Sequence, residues 1–475
     1  MITTTGHATR IPRPSPTPLD GRRIDGTRLG DEDTTYWFLY RALGWSAVLQ
    51  LVWIIDGAVA EEDLDAMNGH LASGPLHRRL VRSRVPGARP RWEPGDERPP
   101  LCLDRHRVSD DAFDEWAAEE MAGVDLDPER GRCWRLRAVG TTEGNTVISL
   151  CALHLVADGR TLIAAAASAM ADSSTATTEV AVDVGPSAAS RGLRRRPGTD
   201  LADACAQVMA VGKGLRRAVS AVGRTDPATP QSDPRPRRAP VAERAPRAVW
   251  RRATVSVPTD EWDRVASSAG GTSNSLFVAV VTGLLRSSGY APLGEAIKVG
   301  VPVDVRGDVG DRRSNATVGV SIMLTDDPVP GGDLRPIRAA CKAAYTRLAS
   351  GCRTAVAHLQ PLVWLLPPSW LVPVVTAGSG MPDAMVSNVG ELPDGILRLG
   401  SQVARRFAFR GMAQGVEPSM PHRFGDGVQS WLVRSSDQVT ISVVGCDETS
   451  FESDEALRTL LGAEVAAWGL PHEIW

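Results

Sequence analysis

The chain reads as a mixed α+β protein of the α/β class, built as two units. Three observations predict this. Short apolar runs rich in Val, Ile and Leu alternate with segments of helical periodicity in both halves of the chain. A Ser/Thr-rich and then Arg/Pro-rich stretch at 173–249 separates those halves. The 475 residues are long for one core and suit two, each of roughly 150–250 residues. Helices and strands do not follow a regular βαβ order, which argues for mixed sheets rather than a Rossmann-type fold.

The start, 1–32, is Thr-, Pro- and Arg-rich and lacks the apolar run of a signal peptide, so it reads as a disordered leader. Within the first unit, 33–172, the pattern predicts a helix over Asp33–Leu43, a strand over Ala47–Asp56, a helix over Glu61–Leu71, a strand near Leu80–Val85 and a helix over Asp110–Met121. Two strands then end at His154. The second of them, Thr146–Leu153, is a continuous apolar run rich in β-branched residues, the signature of a buried strand. Arg160–Asp172 is Ala-rich and reads as a helix.

The stretch 173–249 reads as a crossover linker, because its extremes, Arg191–Pro197 and Pro234–Arg238, cannot bury a core. Inside it Leu201, Ala204, Val208, Val211, Leu215 and Val219 recur at helical spacing and predict a helix over Asp200–Val222. In the second unit, 250–475, strands are expected at Ala253–Val257, Ile297–Val303, Thr317–Leu324, Ala384–Asn388, Gln429–Val433 and Val439–Val444. Its helices are expected at Thr259–Ala269, Ser273–Ser288, Leu334–Leu348 and Glu455–Trp468.

Composition excludes several functions. A net charge of −3 exerts no global pull toward nucleic acid or anionic membranes. The Arg-rich runs carry no interleaved aromatics, so no nucleic-acid partner is expected. Only Lys213, Lys298 and Lys342 are lysines, which reads as the codon bias of a GC-rich bacterium such as an actinobacterium. The cysteines (Cys102, Cys133, Cys151, Cys205, Cys341, Cys352 and Cys446) show no C-x-x-C or His/Cys metal spacing. They read as free thiols in a reducing cytoplasm, with no metal site.

The most specific feature is His154-Leu155-Val156-Ala157-Asp158-Gly159, an H-x-x-x-D-G sequence between the buried strand and the Ala-rich helix. A histidine delivered to a strand end can serve as a base near neutral pH. Asp158, followed by a turn-permitting glycine, is placed to order the loop through backbone or arginine contacts. The six residues alone are equally compatible with a satisfied core histidine and an ordinary turn.

The surrounding sequence resembles the superfamily of CoA-dependent acyltransferases that includes chloramphenicol acetyltransferase, condensation domains of nonribosomal peptide synthetases, polyketide-associated acyltransferases and bacterial wax ester synthase/diacylglycerol acyltransferases, the last group most. Upstream, Gly57–Leu64, Pro75–Arg82, Arg89–Glu93, Asp125–Asp127 and Gly131–Leu136 follow that group's order. Downstream, Ser273–Phe277, Val301–Arg306, Ser314–Asn315 and Val386–Gly390 do the same, so the resemblance runs from about Asp33 to Leu470. Two departures stand out. Leu153 occupies the place of a first histidine that many members carry, and Thr272–Leu276 lacks the Asn-Asp pair of the wax ester group. The first leaves the histidine assigned to catalysis intact, whereas the second bears on the lipid substrate class.

The resemblance implies two lobes with an active-site channel between them. It implies an acyl group passed from an acyl-CoA or acyl-carrier-protein thioester, used as co-substrate with no bound cofactor, to a small-molecule or lipid alcohol or amine. His154 would be the base, with Asp158 and Gly159 shaping its loop. Oxyanion contacts are expected from amides near Gly159 and from Ser387 and Asn388 of the second lobe, although a turn after a strand explains an Asn there equally well. Arg306, at the end of a strand, is the candidate ion-pair partner of Asp158. Condensation or tailoring chemistry in secondary-metabolite biosynthesis is the rival reading, and a catalytically silent scaffold of the same fold is a third. The apolar stretch Leu362–Val375 is broken by three prolines and falls short of the roughly 20 apolar residues a membrane span requires. It reads as a buried helix pair, a tunnel wall or a lip grazing a membrane, the last of which would make the cytoplasmic enzyme peripheral to a membrane.

Overall fold

The computed structural model describes residues 28–175, 197–222, 250–307, 311, 313–351, 356–367, 370–372, 382–416 and 427–475. Most of the expected leader and the two flanks of the linker lie outside these residues. Arg28–Glu32, counted with the leader in the sequence reading, are built into the fold. Leu29 is fully buried and its N–H donates to the Pro90 carbonyl at 3.0 Å.

In the first unit the elements are α1 (Thr34–Phe38), extended by a π-helical turn at Leu39–Leu43, β1 (Ser46–Ile55), α2 (Glu61–Ser73), β2 (Arg78–Val81), β3 (Arg91–Pro94), β4 (Cys102–Leu103), α3 (Phe113–Gly123), β5 (Trp134–Gly140), β6 (Thr146–Leu153) and α4 (Gly159–Thr175). The linker helix is α5 (Pro197–Val222). The second unit contains β7 (Arg251–Pro258), α6 (Thr259–Ser268), α7 (Ser273–Ser287), β8 (Ile297–Asp304), β9 (Thr317–Leu324), α8 (Arg335–Ala349), α9 (Leu362–Leu365), β10 (Ala384–Glu391), β11 (Arg398–Leu399), β12 (Gln402–Gln414), β13 (Val428–Arg434), β14 (Gln438–Gly445), α10 (Asp454–Ala467) and β15 (Glu473–Ile474).

Two mixed sheets organise the molecule. One runs β11-β12-β1-β6-β5-β4 and the other β15-β7-β14-β13-β10-β8-β9. In the first, α2 and α4 cover one face, while α3 covers the other with Phe113 and Trp116. Every residue of β6 is therefore buried, which is why its sequence is apolar without alternation. In the second, α7 packs on the sheet with Leu276–Leu285 buried, and α8 and α10 flank it. Thr272 caps α7 in a capping box with Ser275, so the segment that departs from the wax ester pattern serves a helix start here.

The sequence reading assigns no strand to β12, which links the lobes. It comes from the second unit and pairs antiparallel with β1 of the first, from Ser46↔Gln414 to Ile54↔Arg406. Arg405, Arg406, Arg410 and Gly411 hide its strand pattern. Arg410 is nonetheless buried, ion-paired to Asp114 of α3 and donating to Thr254 Oγ1 of β7 at 3.2 Å. Gly411 permits the close crossing of the sheets, since a Cβ there would sit 2.8 Å from the Trp431 ring. No single helix among the described residues is long and apolar enough to cross a membrane.

Candidate active site

β6 delivers His154 to the seam between the lobes, where the His154 N–H donates to the Ala47 carbonyl of β1 at 2.8 Å. The imidazole lies under Tyr36 of α1, with ring centroids 3.8 Å apart and planes inclined by 18°. Tyr36 Oη stands 2.9 Å from His154 Nε2. Among the described residues, neither His154 Nδ1 nor Asn315 Oδ1, both buried, finds a partner in hydrogen-bond geometry. Burial lowers the His154 pKa below its ordinary value, while a contact with its own backbone, the Asp158 charge and the Asn315 side chain pull the other way. The net effect keeps the ring neutral at pH 7, the form a base requires. Burial, helped by the Asp158 and Asp33 charges, pushes the Tyr36 phenol up, so it stays protonated.

Asp158 is 2% exposed and makes contacts that are structural in kind. Its Oδ1 accepts the Thr161 N–H at 3.0 Å, capping α4. Its Oδ2 accepts from Arg306 Nη2 at 2.8 Å, the Ala316 N–H at 3.0 Å and Thr317 Oγ1 at 3.2 Å. Arg306 also donates to Thr161 Oγ1 at 2.8 Å and pairs with Asp304 at 3.1 Å. The carboxylate thus fastens the first-lobe motif to the second-lobe segment between β8 and β9. Gly159 begins α4 where space is scarce, since a Cβ there would lie 3.1 Å from Phe409 and 3.2 Å from Val389.

Ser387 and Asn388 stand on β10, opposite Trp431 and Leu432 of β13, and their side chains make no hydrogen bond among the described residues. Pairing slips between Asn388 and Gly390, and Val389 at that bulge is the residue that meets Gly159. The structure therefore brings the end of β10 to the start of α4, while among the described residues no hydrogen bond joins Ser387 or Asn388 to His154.

Several residues of the site carry no individual assignment in the sequence reading. Arg78 stacks over Trp92 at 5.2 Å, hydrogen-bonds Ser314 Oγ and reaches the Val156 carbonyl at 3.3 Å. Asn315 donates to Asp33 Oδ1 at 2.7 Å and to the Leu155 carbonyl at 3.1 Å. Burial raises the Asp33 carboxyl to about 6 despite hydrogen bonds from Gly30 and Asn315. Arg78 and Ser314–Asn315 fall in two of the weak ordered matches, and in the fold those matches touch. Tyr36 had no signal, being one aromatic in the run Tyr36-Trp37-Phe38.

A cavity of about 10 Å³ lies beside Tyr36, Tyr40, Trp45 and Leu153. A larger one of about 90 Å³ opens between β12, β13 and β14, lined by Leu392, Leu397, Phe407 and Val433 with Arg405 and Asp437. Neither cavity is lined by His154.

No protein-family model matches the chain, and no curated protein matches it in sequence. Solved structures match it in fold over almost its whole length. The first condensation domain of the CDA synthetase superposes with a TM-score of 0.57 at 15% identity, covering 94% of this chain and 99% of that one. Polyketide synthase associated protein 5 from Mycobacterium tuberculosis gives 0.54 at 14%, covering 92% and 97%. Wax ester synthase/diacylglycerol acyltransferase from Marinobacter aquaeolei VT8 gives 0.50 at 17%, covering 94% and 100%. The chain has the two-lobed mixed fold of condensation domains and wax ester synthases.

Proposed function

We propose that this protein transfers an acyl group from a CoA or carrier-protein thioester to a hydroxyl acceptor, with His154 as general base. The observation that carries the proposal is a desolvated, neutral imidazole at the lobe seam, held at the end of a wholly buried strand. The acceptor oxygen attacks the thioester carbonyl carbon as His154 Nε2 takes its proton. The C–S bond then breaks, and the imidazolium returns the proton to the departing thiolate. Asp158 acts as a positioning residue, because its contacts order the loop and tie the lobes together. Oxyanion support is assigned to the backbone amides at the start of α4, with Ser387 and Asn388 as second-lobe candidates. Tyr36 occupies the space over Nε2, so an acceptor must displace it. In this reading the enzyme works in the cytoplasm without a bound cofactor, and any carrier protein acts as donor.

An ester- or amide-forming condensation or tailoring role is the second reading, favoured by the missing Asn-Asp pair at Thr272–Leu276. Incubation with acyl-CoAs and carrier-bound acyl groups, each with alcohols and amines, followed by mass spectrometry of the products, separates the two. Absence of thiol release from every donor would favour a silent scaffold.

A further inference from the structure

Ser314, Asn315 and Ala316 of the second lobe close on the motif turn. The Ser314 carbonyl accepts from the Asp158 N–H at 3.0 Å and from Thr161 Oγ1 at 2.8 Å, and the Ala316 N–H donates to Asp158 Oδ2 at 3.0 Å. Asn315, 4% exposed, is held between them against the turn that begins at His154. Its amide has one orientation. Nδ2 donates to Asp33 Oδ1 at 2.7 Å and to the carbonyl of Leu155, the residue after His154, at 3.1 Å. A flipped amide would set its oxygen against both acceptors, so Oδ1 takes the opposite position. Among the described residues, that oxygen and His154 Nδ1 are both buried without a partner in hydrogen-bond geometry.

A neutral imidazole carries its one proton on Nδ1 or on Nε2, and the hydrogen bond at either nitrogen decides which. On the Nε2 side Tyr36 Oη, 2.9 Å away, can donate or accept, so it leaves the choice open. On the Nδ1 side an amide oxygen can only accept. Burial lowers the His154 pKa, while the His154 backbone, the Asp158 charge and the Asn315 side chain raise it, the direction an acceptor gives. A buried N–H and a buried oxygen are each costly when left alone, and one contact satisfies both. Such contacts are often long in a resting enzyme and tighten around the bound reactants.

We propose, on the reading of His154 as the base, that Asn315 is its positioning residue: Asn315 Oδ1 accepts from Nδ1–H, Asp33 holds the amide in that orientation, and Nε2 keeps the lone pair that takes the acceptor's proton. The test is nitrogen NMR of the full chain labelled at its histidines, because the two tautomers differ in the shifts of their ring nitrogens. His154→Ala identifies the His154 signals. No substrate is needed, so the outcome is separate from thiol release. At about pH 8, where the ring is neutral, wild-type His154 should carry its proton on Nδ1. Asn315→Leu keeps the volume and removes the oxygen. It should move most of the signal to the Nε2–H form, shift the acid limb of the rate profile to lower pH and reduce kcat about tenfold with both KM values unchanged. The double variant Asp33→Asn, Asn315→Asp exchanges donor and acceptor but keeps an oxygen toward Nδ1. It should retain the Nδ1–H form, and its carboxylate should move the acid limb to higher pH. A wild-type ring protonated on Nε2 would overturn the proposal, whether or not the variants fold. So would an Asn315→Leu variant that keeps the Nδ1–H form and an unmoved acid limb, whatever its unfolding temperature, since Asn315 would then serve the contact between lobes alone.

Discussion

His154 owes its proposed chemistry to its surroundings, which remove water and hold the ring neutral. The His154→Ala variant should lose turnover by roughly a hundredfold or more while unfolding at the wild-type temperature. The pH dependence follows from the direction of its shift. A base whose pKa lies below the ordinary 6.5 is mostly neutral at pH 7 and loses activity as pH falls through the lowered pKa. A rate profile with its acid limb below pH 6.5 is expected. Tyr36 predicts a change in acceptor binding, since displacing a stacked aromatic costs about 1 kcal/mol. Tyr36→Ala should lower the acceptor KM about fivefold, with the thioester KM unchanged, in steady-state kinetics. Asp33 has a raised carboxyl, so its protonation favours the folded state. That contribution is complete below about pH 4 and is lost as pH rises through about 6. Asp33→Asn should therefore be more stable than wild type at pH 7, by about 1–3 kcal/mol in urea unfolding, and the gain should vanish near pH 4.

At the scale of elements, the motif works because strand, turn and helix are each held by a different neighbour. Asp158→Asn would remove the buried charge that Arg306, Ala316 and Thr317 contact, leaving Arg306 only its pairing with Asp304, and should destabilise the protein by about 2–4 kcal/mol, read by chemical denaturation. Retention of full stability would show that the clamp across the lobes does not bear on folding. Much at this scale was legible in the sequence. β6 announced itself by unbroken apolarity, α5 by helical spacing inside an otherwise polar linker, and the Arg306–Asp158 pairing by a lone arginine at the end of a strand. β12 was not legible, because Arg410 is buried through partners distant in sequence, Asp114 and Thr254, which no local pattern discloses. Tyr36 was hidden for a related reason: its role depends on the approach of α1 to the end of β6, 118 residues away. Ser387 and Asn388 lie on the strand that reaches the motif, yet the bulge hands the contact with Gly159 to Val389.

At the scale of the molecule, β12 makes the lobes interdependent. A fragment ending at Val222 would leave the ladder edge of β1 unpaired and expose Trp53 and Ile55, which are fully buried in the whole chain. Expressed alone, the 28–222 piece should aggregate, whereas coexpression with 250–475 should yield a soluble complex that copurifies. A soluble, cooperatively folded 28–222 piece would show that β12 is dispensable. The central claim is that a thioester is consumed at the lobe seam by a base at His154. The most direct measurement is thiol release from a panel of acyl-CoAs and acyl-carrier proteins in the presence of alcohol or amine acceptors, with wild type and His154→Ala side by side. Release with at least one donor and acceptor pair, reduced about a hundredfold in the variant, is the predicted result. Equal release by the two proteins would contradict the claim.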